Sequence, residues 1–143
     1  MYFEFDDGGR KRPSLDCVAR AIAIVLDVPY SDVCRGLNRE AIRQGTPCFA
    51  SSGVRFSVYS AYLKRRGWLY SPVIFVRKTK TSERATVRQA VPVVGRYVVR
   101  SRKHLLAVIE GCVRDTFDSR DFEAFGMFIK TQRQSQKKFL RKD

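Results

Sequence analysis

His104-Leu105-Leu106-Ala107-Val108-Ile109-Glu110-Gly111-Cys112-Val113-Arg114-Asp115 reads as two β-strands around a tight turn. An apolar run, a Glu-Gly pair and a second β-rich run have the composition of a hairpin. If the turn centres on Glu110-Gly111, His104 lies across from about Phe117, and Leu106 from Asp115. Side chains alternate between faces along a strand, so His104 and Asp115 share one face and sit diagonally within reach of each other. Asp118 has the opposite parity and points away unless a bulge intervenes. His104 is the chain's single histidine.

An imidazole beside a carboxylate needs a nucleophile, and Ser14-Leu15-Asp16-Cys17-Val18-Ala19-Arg20-Ala21-Ile22-Ala23-Ile24 offers one. Val18, Ala21, Ile22, Val25 and Leu26 recur at helical spacing, which predicts a helix over 16–26 with Ser14 or Asp16 as its cap. Cys17 then stands at the positive end of the helix dipole, which favours thiolate over thiol. One thiol and one imidazole are the minimum set for nucleophilic acyl chemistry, and a carboxylate completes it by holding the imidazole's tautomer.

The other cysteines argue against metal. Cys17, Cys34, Cys48 and Cys112 form no CxxC, and one histidine cannot fill a familiar Cys/His zinc quartet. Cys34 and Cys112 are expected as small buried residues. No metal or organic cofactor is expected.

The remaining elements follow from periodicity and turn chemistry. Residues 1–13, with Gly8-Gly9 and Pro13, suggest an extended or hairpin lead-in. A second helix is expected over 32–43, capped by Ser31, with Val33, Leu37 and Ala41 inward. Residues 45–53 form a loop, 54–65 a third helix ended by Gly67, and 68–76 a strand. A basic connector over 77–84 leads to a short helical turn at 86–90. Strands are expected over 95–101, 104–109, 112–117 and 122–130. Trp68, Tyr70 and Phe75 are expected in the core.

Chain-wide composition sets the setting. At 143 residues, 44% of them hydrophobic, the chain suits one globular domain over 1–129 followed by a basic arm over 130–143. No apolar run reaches the roughly 18 residues that span a bilayer, and the acidic start is not a secretory signal. Scattered thiols without a signal point to a reduced, cytoplasmic location. The formal charge of +14 attracts polyanions. Lys130, Arg133, Lys137, Lys138, Arg141 and Lys142 concentrate part of it in the arm. No base-reading helix or aromatic-rich RNA-binding strand is evident, so sequence-specific recognition is not expected.

The order Cys on an early helix, His on a strand and Asp on the next strand is that of the papain-like fold. Asp16-Cys17-Val18-x-Arg20-Ala21 followed by Pro29-Tyr30-x-x-Val33 resembles the nucleophile helix of small papain-like cysteine peptidase-related proteins of bacteria and bacterial viruses. Gly95-Arg96-Tyr97-Val98-Val99, then His104-Leu105-x-Ala107-Val108-x-x-Gly111-x-x-x-Asp115-Thr116, is similar to their His and Asp strands. The resemblance covers roughly residues 10–118. It implies an α+β fold with N-terminal helices on a C-terminal antiparallel sheet. It also implies a Cys17 nucleophile, a His104 general base and acid, and an orienting Asp115. If the chain is viral, the location is the host cytoplasm.

Papain-like enzymes place a Gln a few residues before the cysteine to bind the oxyanion. This chain has none there; Ser14 and Asp16 are the nearest polar groups, and an ionised Asp16 would repel a developing oxyanion. Two functions are therefore expected. One is a cysteine hydrolase acting on a protein or peptide. The other is a non-catalytic basic protein on the same scaffold that engages nucleic acid or an acidic host protein through 77–103 and 130–143. Neither involves a membrane, and the sequence leaves the oligomeric state open.

Overall fold

The computed structural model describes residues 1–9, 16–46, 53–73 and 84–131. The chain runs β1 (Tyr2–Phe5), α1 (Cys17–Leu26), α2 (Tyr30–Arg43), α3 (Phe56–Arg65), β2 (Trp68–Pro72), α4 (Val87–Ala90), β3 (Arg96–Ser101), β4 (His104–Ile109), β5 (Cys112–Asp115) and β6 (Gly126–Lys130). It is a mixed α+β fold with one six-stranded sheet in the order β1-β5-β4-β3-β6-β2.

The β4–β5 hairpin has the expected register: Ile109 pairs with Cys112, Val108 with Val113 and Ala107 with Arg114. Glu110 and Gly111 both take positive φ, 48° and 71°. That is the geometry of a two-residue turn matched to strand twist. At Gly111 a Cβ would also meet the Val93 carbonyl oxygen at 3.3 Å. The turn therefore permits no slippage, and the parity of His104 and Asp115 is fixed by it.

β4 lies near the middle of the sheet and is apolar on both faces. Leu105 and Ala107 face α1 and α3 in a core with Ile22, Val25, Leu63, Val98 and Phe128. Leu106 and Val108 face a second cluster with Val87, Val99, Val113, Ala124 and Met127. Burial on both sides suits a continuous apolar strand, and burying each such side chain contributes about 1.5–3 kcal/mol. α4 closes the second face, its start held by the reciprocal Thr86–Gln89 capping box.

Several expectations need correction. The lead-in is extended at Tyr2–Phe5, one of the two forms expected, but β1 pairs parallel with β5, so the sheet is not purely antiparallel. Phe3 packs into the second cluster, which draws the strand onto that edge. α2 starts at Tyr30 with Pro29 as its cap, not at Asp32 with Ser31 as its cap, because Pro29 supplies the carbonyl for Asp32 and Val33 N–H. The strand from Trp68 ends at Pro72, and the last strand begins at Gly126. β6 includes Lys130, whose Nζ donates to the Arg66 carbonyl at 2.7 Å. Lys130 thus belongs to the folded domain rather than to the arm. Arg133, Lys137, Lys138, Arg141 and Lys142 lie outside the described residues, as does Phe75. Trp68 is buried in the core as expected, with Tyr70 packed against it. Among the described residues no helix is long and apolar enough to cross a membrane.

Candidate active site

Cys17 is the first residue of α1, and α1 packs chiefly on β4. That places the thiol over the start of β4, where His104 and Leu105 lie. Asp115 closes β5 on the other side of His104, and its carboxylate Oδ2 stands 2.6 Å from His104 Nε2. With Nε2 committed to Asp115, Nδ1 is the ring nitrogen left for sulfur. The structure brings Cys17, His104 and Asp115 together, as the sequence predicts.

The charges of the three are mutually dependent. Burial works to raise the Cys17 pKa. Hydrogen bonding with His104 and with the Leu105 backbone outweighs it, helped by the charges of His104 and Arg20, and the thiol is lowered overall. Burial works against a charged His104, but hydrogen bonds to Asp115 and Cys17 and their negative charges raise it to about 9. Asp115 is likewise pushed up by burial, yet His104, the Ser119 hydroxyl and the Thr116 N–H hold it below the usual carboxylate range. A thiol lowered and an imidazole raised both move the pair toward thiolate and imidazolium.

A buried scaffold that sequence reasoning missed holds Asp115. Ser119, fully buried, donates to its Oδ2 at 2.9 Å. Arg20, one turn along α1 from Cys17, reaches Asp115 Oδ1 at 3.5 Å and Asp16 Oδ1 at 3.1 Å. Arg20 was hidden inside the apolar run Val18–Val25, but its i, i+4 relation to Asp16 was the signal for it. The guanidinium ties the nucleophile helix to the strand that carries the third residue.

Asp16 occupies the N-cap of α1, as expected, and its carbonyl accepts from the Arg20 N–H. Its side chain makes no capping bond; one oxygen meets Arg20 and the other accepts from the Tyr30 hydroxyl at 2.7 Å. Its charge is therefore balanced by Arg20 instead of facing an oxyanion bare. Ser14 lies outside the described residues. Asp118 is turned to Arg120, at 2.7 Å, and takes no part.

Around His104 stand two aromatic rings. Phe117 is tilted over the imidazole at 4.9 Å between centroids, and Phe122 meets it edge-on at 5.9 Å. Both are partly open to solvent, at 45% and 36% exposure, so they limit water at the imidazole while presenting an apolar rim.

Cys34 and Cys112 are free and half-buried, and Cys48 lies outside the described residues. Among the described residues no group of three or more His, Cys, Asp or Glu could hold a metal. A cleft of about 700 Å³ lies at the other end of α1, lined by Val25, Asp27, Arg66, Trp68, Arg96 and Lys130 among others. Comparisons with protein-family models, with curated proteins and with solved structures each return no match.

Proposed function

We propose that this chain is a cysteine-dependent hydrolase of papain-like organisation, cleaving an amide or isopeptide bond. The observation that carries the proposal is the 2.6 Å His104–Asp115 contact with the imidazole's other side turned to a helix-terminal thiol. Structural cysteines do not need an oriented, carboxylate-held histidine; nucleophilic ones do.

The chemistry follows from the charges. Cys17 thiolate attacks the carbonyl carbon, and the carbonyl π pair moves to oxygen. Collapse of the tetrahedral intermediate breaks the C–N bond as the His104 imidazolium gives its proton to the leaving nitrogen. Neutral His104 then takes a proton from water as the hydroxide oxygen attacks the thioester. The C–S bond breaks, releasing the acid and restoring the ion pair. Asp115 keeps one ring nitrogen protonated throughout and orients the ring. The oxyanion donor is the backbone N–H of Cys17, since the first N–H groups of a helix have no intrahelical acceptor.

The test is site-resolved iodoacetamide labelling against pH in the wild type and in His104→Ala. Cys17 is expected to label with a pKa well below the ~8.5 of free cysteine and to lose that advantage in His104→Ala. An ordinary titration of Cys17, indifferent to His104, would refute the hydrolase. The +14 charge then favours the second function, a basic protein that binds nucleic acid. Binding that weakens steeply with salt would support that alternative.

A further inference from the structure

Arg100 stands on the opposite side of the thiol from Asp115. It is the β3 partner of Leu105, the β4 residue whose backbone hydrogen-bonds Cys17. Cross-strand partners share a face and lie about 5 Å apart at Cα. Arg100 is therefore one strand from the thiol, on the face covered by the helices. The guanidinium lies over the Phe56 ring at 4.3 Å and beside the Tyr59 hydroxyl. Tyr59 in turn feels the charge of Cys17. Burial pushes Tyr59 up to about 12, so it stays a neutral donor.

Among the described residues Arg100 has no carboxylate partner, whereas Arg20, Arg65, Arg88 and Arg120 each have one. A ring face and a hydroxyl hold the guanidinium in place without neutralising it. A cation fixed this way, half-buried and one strand from the nucleophile, is suited to receive a carboxylate: its fork matches two carboxylate oxygens. On the far side the rim is Phe117 and Phe122, which offers nothing to a charged group.

We infer that the site selects a carboxylate next to the scissile bond, as in an acidic peptide, with Arg100 as the specificity-determining residue. This rests on the hydrolase proposal for its meaning but not for its test. The net charge of +14 works in the same direction, drawing acidic chains toward the molecule before Arg100 selects among them.

The test uses a near-isosteric pair of thiol reagents, 3-maleimidopropionate and 3-maleimidopropionamide, which label any accessible cysteine. Rates are read site by site by mass spectrometry, and the acid-to-amide ratio at Cys17 is divided by that at Cys112, which removes the overall field. The expected quotient is about tenfold, the lower end of the scale for a hydrogen bond to a charged group. Arg100→Met should bring it to about one, and Arg100→Lys should keep part of it. Circular dichroism verifies that each variant is folded. A wild-type quotient near one, or one unchanged in Arg100→Met and lost only in His104→Ala, overturns the inference. The amide reagent's pH profile at Cys17 reports separately on the ion pair, so failure of the hydrolase and failure of the selectivity are distinguishable.

Discussion

The two ends of α1 carry similar numbers of charged groups and use them in opposite ways. At the C-terminal end, Arg96 donates to the Val25 carbonyl at 2.8 Å, Arg66 to the Tyr62 carbonyl at 3.0 Å and Lys130 to the Arg66 carbonyl at 2.7 Å. These cations satisfy main-chain acceptors that helix ends leave open, and the negative end of the dipole welcomes them. At the N-terminal end, Arg20 instead bridges two side-chain carboxylates, one of which holds His104, which faces Cys17. Charge at one end terminates in backbone; at the other it terminates in sulfur. A cleft of about 700 Å³ opens at the backbone end, away from the thiol.

The strongest test of this contrast is His104→Ala. If the N-terminal end is a reaction centre, the substitution lowers kcat/KM on a cleavable acidic peptide by about 10²–10⁴, the usual scale of general acid–base catalysis. Arg20→Met comes next. It removes the cation that buried Asp16 and Asp115 share and should cost about 3 kcal/mol in urea unfolding, with partial recovery in Arg20→Met/Asp16→Asn.

A pH series sharpens the same point. His104 is raised in the folded state to about 9. Its contribution to stability is fully present below the unfolded value near ~6.5 and is lost as pH rises through about 9. The stability gap between wild type and His104→Gln should therefore narrow over that window. The smallest effect belongs to Arg96→Met, about 1 kcal/mol for the lost bond to Val25, with Cys17 labelling unchanged. If Arg96→Met slowed labelling as much as His104→Ala, the two ends would not be functionally separate.

The hairpin was legible because every determinant of it is local. Glu110-Gly111 sets a two-residue turn, period-two alternation sets the faces, and His104 opposite Asp115's neighbour follows arithmetically. Helix α1 was legible for the same reason, since its apolar spacing is unambiguous. What escaped is non-local. Nothing in Tyr2–Phe5 announces a parallel partner more than a hundred residues away. Ser119 and Phe122 gain their places from the loop after β5, which is tied to the start of α4 by the Val87 and Arg88 N–H bonds to Phe122 and Arg120. Arg20 read only as a motif residue and Arg100 only as part of a basic stretch, because an arginine's burial depends on partners from other elements. Lys130 read both as the end of the last strand and as the first residue of a basic arm, and its pairing with Trp68 sets it in the strand.

The link from Arg20 to Asp115 spans 95 positions, and β5 is locked at its outer edge by the opening residues of the chain. A ribosome therefore releases the nucleophile long before the groups that ionise and orient it. During synthesis Cys17 is an ordinary thiol, and closure of these long-range contacts is among the slower steps of folding. On the proposed reading the nascent chain is chemically quiet and becomes reactive only when α1 and β1 have both met β5.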